Sequence, residues 1–185
     1  MAVPRVSVRD IQGPIRQRLA EEGDRSVVCL GVRSAGSDLA DPLHCRVSPD
    51  SVPGVSWESG AHSAVGGEGD APCSADLLLG ALAACQEITL RMVAANMGVE
   101  LEELEVTVEG DWDPRGTLAM GKEFPVGLTG VRCHSRIVVK ESGGDGAHER
   151  SERLLKSAER YCVVLSTLRN GVPVESAFDV RPSGG

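Results

Sequence analysis

Six cysteines are spread through the 185 residues, at positions 29, 45, 73, 85, 133 and 162, with no CxxC pair among them. A thiolate attacks peroxides, disulfides and other electrophiles, and two thiols brought together can cycle between dithiol and disulfide. The ordinary alternative is packing, since free cysteine is among the most buried residue types. Metal ligation is a third use, because His44 precedes Cys45 and His134 follows Cys133. Adjacent residues of a strand face opposite sides, so neither pair closes on one ion, and no metal is expected. Cys85 and Cys162 differ from the other four. Each lies on the apolar stripe of a strongly helical segment, where both can face one interior.

The elements that must position them are legible in the pattern. CSADLLLGALAACQEITLRMVAANMG predicts a long helix, with Ser74 as its N-cap and Gly98 as its stop. Leu78, Leu82, Cys85, Thr89 and Met92 share one face, and Leu77, Ala81, Ala84 and Ile88 fill another. A helix with no polar side in its first half must be covered on several sides, and a subunit interface would provide that cover. HERSERLLKSAERYC predicts an amphipathic helix with Leu154 or Leu155, Ala158, Tyr161 and Cys162 on its stripe, and VVLSTLRNG continues as a short helix stopped at Asn170-Gly171. Strands are expected in SVVCLGVRS, LHCRVS, GVSWES, LEELEVTVEGDWD, VGLTGVRCHSRIVVKE and PVESAFDV. The Gly-rich stretch 59–72 and GGDGAH are loops, and residues 8–22 form a short helix or arm interrupted by Gly-Pro. Strands, long helix, strands, helices and strand make an α+β chain with antiparallel sheet.

Composition narrows the function classes. Lys plus Arg is 19 against 27 Asp plus Glu, a net charge of -8, which argues against a polyanion partner. Two Trp, two Phe and one Tyr are too few to stack on single-stranded nucleic acid. MAVPRVSVRDIQG has no apolar core of a leader, and the longest uncharged apolar run, between Asp76 and Glu87, is too short to span a bilayer. A cytoplasmic protein with reduced thiols is expected, without nucleic-acid or membrane partners, built as an arm (1–24) and one domain (25–185).

ADLLLGALAACQEITLRMVA followed by EVTVEGDWDPRG resembles the core helix and next strand of the OsmC/Ohr family, osmotically inducible protein C and organic hydroperoxide resistance proteins. ERLLKSAERYCVVLSTLRNGVPVE is similar to that family's second cysteine segment, and the two motifs stand in the family's order over residues 25–180. The resemblance implies antiparallel sheets wrapped around long central helices in an interlocked homodimer, with sites at the interface. It implies reduction of organic hydroperoxides by Cys85, resolution by Cys162, and re-reduction by a dithiol, a lipoylated protein in some members. No metal, flavin or other cofactor is implied. An arginine favouring the thiolate is also implied, with Arg33 the first candidate and Arg46 the second. Two departures stand out. The family's Glu at the helix start is Ala75 here, with Asp76 about 100° away around the helix and Glu68 the substitute in the preceding loop, and the Pro common after the second cysteine is Val163. A non-catalytic relative that binds a small hydrophobic ligand in the interface pocket is the alternative. No such likeness covers residues 1–24.

Overall fold

A computed structural model describes residues 7–140 and 147–181. The chain runs α1 (Val8–Glu22), β1 (Val32–Ser34), β2 (His44–Pro49), β3 (Trp57–Gly60), α2 (Ser74–Met97), β4 (Leu101–Asp111), α3 (Pro114–Thr117), β5 (Gly130–Val139), α4 (Ala147–Tyr161) and α5 (Val163–Asn170). β1, β2 and β3 form one antiparallel sheet, and β4 and β5 form a second. The α+β class and the antiparallel pairing are as expected. Most of the loop GGDGAH lies outside the described residues.

The central helix stops at Gly98, whose left-handed φ of 68° suits a residue without a Cβ. Its start differs from expectation by one residue. Cys73 is the N-cap, and the Asp76 carboxylate accepts the Cys73 backbone N–H at 2.8 Å, which closes a capping box. α2 packs on β4, α4 and α5, and α1 crosses its far end through Arg9 to the Asn96 carbonyl at 3.0 Å. By length and composition alone α2 could cross a membrane, contrary to the reading of its shorter apolar run. Its Leu82, Leu90 and Ala94 are buried within the fold, with Leu154, Ala158 and Cys162 of the C-terminal helical region.

Two strand expectations fail. Of SVVCLGVRS only Val32–Ser34 is a strand, and PVESAFDV pairs with no strand among the described residues, leaving Phe178 92% exposed. Alternating apolar residues make a strand only where another strand supplies hydrogen-bond partners, and these edges have none within one chain. Tyr161 is likewise exposed, and Leu154, not Leu155, is the buried residue of the α4 stripe.

The first sheet is tied to the approach of α2. Gly60 N–H and the Ser59 hydroxyl both donate to the Pro72 carbonyl, each at 3.0 Å. His44, at the start of β2, bonds Asp41 through Nδ1 at 2.8 Å and Asp70 through Nε2 at 3.0 Å. Those bonds, to Asp70 first and then Asp41, raise the His44 pKa; the His44 bond lowers Asp70, while Asp41 is lowered first by the Leu43 N–H and then by His44. A raised histidine adds stability that is complete below its unfolded pKa, about 6.5, and is lost as pH rises through the folded value. His44→Gln is therefore expected to melt below wild type at pH 6, with a gap that narrows towards pH 9. Thermal melts across that range check it, and a gap independent of pH would show that the ring's charge contributes nothing.

Candidate active site

Helix geometry places Cys85 on α2 midway between the fully buried Leu82 and the buried Thr89. The other thiol comes from a break between helices. α4 ends at Tyr161, and Cys162 leaves the helical region with φ -75° and ψ 106°, becoming the N-cap of α5. Its N–H still donates to the Ala158 carbonyl at 3.1 Å, and its carbonyl accepts Ser166 N–H at 3.0 Å, so it closes one helix and opens the next. Cys162 is 0% exposed, whereas Cys85 is half-buried. The two thiols are neighbours, each among the groups that shift the other's ionisation.

Their surroundings split them electrostatically. Burial pushes the Cys85 thiol up, but hydrogen bonds from Val164 N–H, the Cys162 thiol, Val163 N–H and the Thr89 hydroxyl outweigh it and hold it below the ordinary value. Cys162 goes the other way. Burial raises it, the Leu165 and Val164 N–H groups offset part of that, and the neighbouring Cys85 raises it again. Of the pair, the more exposed sulfur therefore ionises more readily and the enclosed one holds its proton more firmly.

The predicted arginines stand elsewhere in the chain. Arg33 is exposed on β1 opposite Ser48, and Arg46 on β2 is ion-paired with Glu58 at 2.6 Å. Neither is among the groups that move the Cys85 pKa. Asp76 is engaged in capping α2, Ala75 is half-buried and Glu68 is exposed. Cys29 and Cys133 are exposed, Cys45 is half-buried, and Cys73 is buried at the α2 cap. Among the described residues no cluster of His, Cys, Asp and Glu could hold a metal ion. The sequence reading missed that Cys162 stands at a break and caps α5 rather than ending α4. The sequence signal was the helix restart immediately after Cys162.

Behind the thiols lies a groove of about 740 Å³, walled by Leu82 and Gln86 of α2, Val131 of β5, Leu155 of α4, and Leu165 and Leu168 of α5. Gln86 is 8% exposed, and its buried Oε1 has no hydrogen-bond partner among the described residues. The cysteines at 85 and 162 do not line this groove.

The model of one family, OsmC-like protein, matches residues 67–177, more than half of the chain. The chain belongs to the OsmC-like protein family. A comparison with curated proteins gave no match. Solved structures of OsmC-like proteins share its fold. An organic hydroperoxide resistance protein OsmC from Legionella pneumophila is 21% identical, with TM-score 0.56, covering 78% of this chain and 92% of that one. An OsmC-like protein of unknown function from Vibrio cholerae is 11% identical, with TM-score 0.60, covering 76% and 94%. An organic hydroperoxide resistance protein from Elizabethkingia anophelis is 18% identical, with TM-score 0.57, covering 80% and 92%. At such identities the likeness speaks for the OsmC-like fold alone. In that fold both cysteine segments, 73–98 and 148–171, belong to the helical half of the chain.

Proposed function

We propose that this OsmC-like protein reduces organic hydroperoxides with Cys85 and Cys162 and protects a reducing compartment, the cytoplasm, against oxidative stress. What supports the reading is that Cys85 and Cys162 are neighbours on two packed helical segments, Cys85 the more exposed and the more readily ionised of the two. The Cys85 thiolate attacks the distal oxygen of ROOH; an S–O bond forms, the O–O bond breaks, and the alkoxide leaves as ROH after taking a proton. Cys85 is then a sulfenic acid. The Cys162 sulfur attacks it, an S–S bond forms, and hydroxide leaves with the thiol proton as water. An external dithiol, free or lipoyl, reopens the disulfide by exchange and is itself oxidised. No cofactor enters the cycle.

The working unit in this reading is a homodimer. The chain's accessible surface is 14372 Å², against about 8,500 Å² for a compact monomer of 19.4 kDa. On α2, Ile88 is 53% exposed and Ala81 and Ala84 are open beside it, the face expected to need a second chain. Val172, Val174, Phe178 and Val180 are exposed along the unpaired C-terminal segment. The first sheet, which carries Arg33, would meet a thiol pair across the same interface.

Thiol counting tests the chemistry. One equivalent of cumene hydroperoxide should remove two of the six thiols, and peptide mapping should find them joined as Cys85–Cys162. Six thiols after treatment, or a different pairing, would defeat the peroxidase reading. The groove walled in part by Leu82, Leu155, Leu165 and Leu168 favours a second one, a non-catalytic carrier of a small hydrophobic ligand. Intact thiols together with saturable binding of an apolar fluorophore would support that carrier.

A further inference from the structure

We infer that His44 is a proton-operated latch. As an imidazolium it clamps the loop 61–72 to the first sheet, and on losing its proton it releases the loop at Asp70. That loop runs from β3 to Cys73, the N-cap of α2, so the latch acts on the approach to the helix that carries Cys85. It stands independently of the peroxidase reading.

The ring lies between two carboxylates. Nδ1 is 2.8 Å from Asp41 Oδ2, and Nε2 is 3.0 Å from Asp70 Oδ1. An ionised carboxylate only accepts, so both ring nitrogens must carry protons for both bonds to exist. A neutral imidazole has one N–H, and its other nitrogen would turn a lone pair towards a carboxylate. One of the two bonds therefore goes with the proton. The seat of the ring is built into the sheet, where His44 stands opposite Gly60 across β2 and β3. A Cβ at Gly60 would come within 3.1 Å of the ring Cδ2, so a glycine there gives the ring its room. The His44 side chain is 28% exposed, which leaves it open to proton exchange with solvent.

The two carboxylates differ in how they are held. Asp41 is three residues from His44 and also accepts the Leu43 N–H through Oδ1 at 2.9 Å. Asp70 is 26 residues away in the Gly-rich loop. The neutral ring thus keeps Nδ1–H on Asp41 and frees Asp70. Backbone bonds that do not titrate pin both ends of the loop, Ala61 N–H to the Leu43 carbonyl at 2.8 Å and Gly60 N–H to the Pro72 carbonyl at 3.0 Å. What opens is the stretch between them. The other ionisable groups around the shallow pocket beside His44 are Asp38, Cys45, Arg46 and Glu58. Arg46 and Glu58 pair with each other at 2.6 Å, and Asp38 accepts the Ala40 N–H at 2.9 Å. Cys45, next to His44 on β2, faces the opposite side of the strand. Asp70 and then Asp41 raise His44 above the ordinary histidine value, so the latch is closed at acid pH and opens on the alkaline side of about 6.5.

The test uses the full chain with its histidines labelled by nitrogen-15, the His44 signals being those lost in His44→Gln. Long-range proton–nitrogen spectra from pH 6 to pH 9 should show an imidazolium at the acid end and the Nδ1–H tautomer at the alkaline end. Across the same midpoint, amide hydrogen exchange of residues 61–72, corrected for its intrinsic pH dependence, should quicken several-fold. Asp70→Asn should lower the His44 midpoint, because it removes the adjacent negative charge. It should also abolish the step in loop exchange, since an amide can accept from Nε2–H or donate to bare Nε2. Glu68→Gln, in the same loop, should keep the step. Circular dichroism confirms that each variant is folded. A wild-type loop with no exchange step at the His44 midpoint, or an equal step in folded Asp70→Asn, would overturn the latch. So would an Nε2–H tautomer at the alkaline end, which would keep Asp70 and free Asp41. Neither readout uses peroxide or a thiol, so either outcome leaves the peroxidase reading to its own thiol count.

Discussion

Cys85→Ser is expected to lower alkyl hydroperoxide consumption by at least about a thousandfold, because a serine hydroxyl is not ionised near neutral pH and cannot supply the attacking anion. Cys162→Ser should behave differently. Cys85 remains, so each chain should still consume one equivalent of peroxide in a burst and then recycle poorly, with sulfenic acid on Cys85 trapped by dimedone. The asymmetry follows from the geometry. Cys85 is half-buried with its thiol held below the ordinary value, whereas Cys162 is wholly enclosed and its thiol is pushed up by burial. Steady-state consumption of cumene hydroperoxide with dithiothreitol or dihydrolipoamide measures the first effect, and single-turnover mass spectrometry the second. Equal losses in both variants, without a burst in Cys162→Ser, would reverse the assignment of attacking and resolving thiols.

Ala84→Glu is expected to abolish assembly and with it much of the folded state. In the single chain Ala84 is exposed on α2, and a glutamate at an exposed helix position should change stability by no more than about 0.5 kcal/mol. In a homodimer closed over the face of Ala81, Ala84 and Ile88, each subunit would bury an unpaired carboxylate. That costs about 3 kcal/mol or more per charge. Obligate interfaces leave little folded monomer to fall back on, so dimer loss and loss of helical signal should appear together. Sedimentation velocity with circular dichroism at micromolar concentration distinguishes the cases. A stable, helical wild-type monomer, or an Ala84→Glu variant that assembles and melts as wild type does, would refute the dimer.

Regular elements were legible wherever local chemistry decides them. The 3.6-residue apolar period of 74–97 and the glycine at 98 mark α2, and Asn170-Gly171 ends α5 as read. Alternation over LEELEVTVEGD marks β4, whose outward Glu105 pairs with Arg136 of β5. The same alternation in PVESAFDV produced no strand, because pairing depends on a neighbouring chain segment and not on the residues themselves. The family was legible too, from LLLGALAAC and ERYCVVL taken in order, and the OsmC-like family match over 67–177 agrees.

The candidate site divides along the same line. Sequence by itself determined that Cys85 and Cys162 lie on or beside the buried stripes of two helical segments, because burial of an apolar face follows from its period. Only the tertiary structure decided that the chain breaks at Cys162, that α5 packs against α2 beside Cys85, and that Arg33 and Arg46 are not among the groups that shift its ionisation within one chain. The physical reason is range. Capping and periodicity act over one or two turns, whereas the ionisation of a thiol responds to whatever donors tertiary packing brings to its sulfur, here from residues nearly eighty positions away.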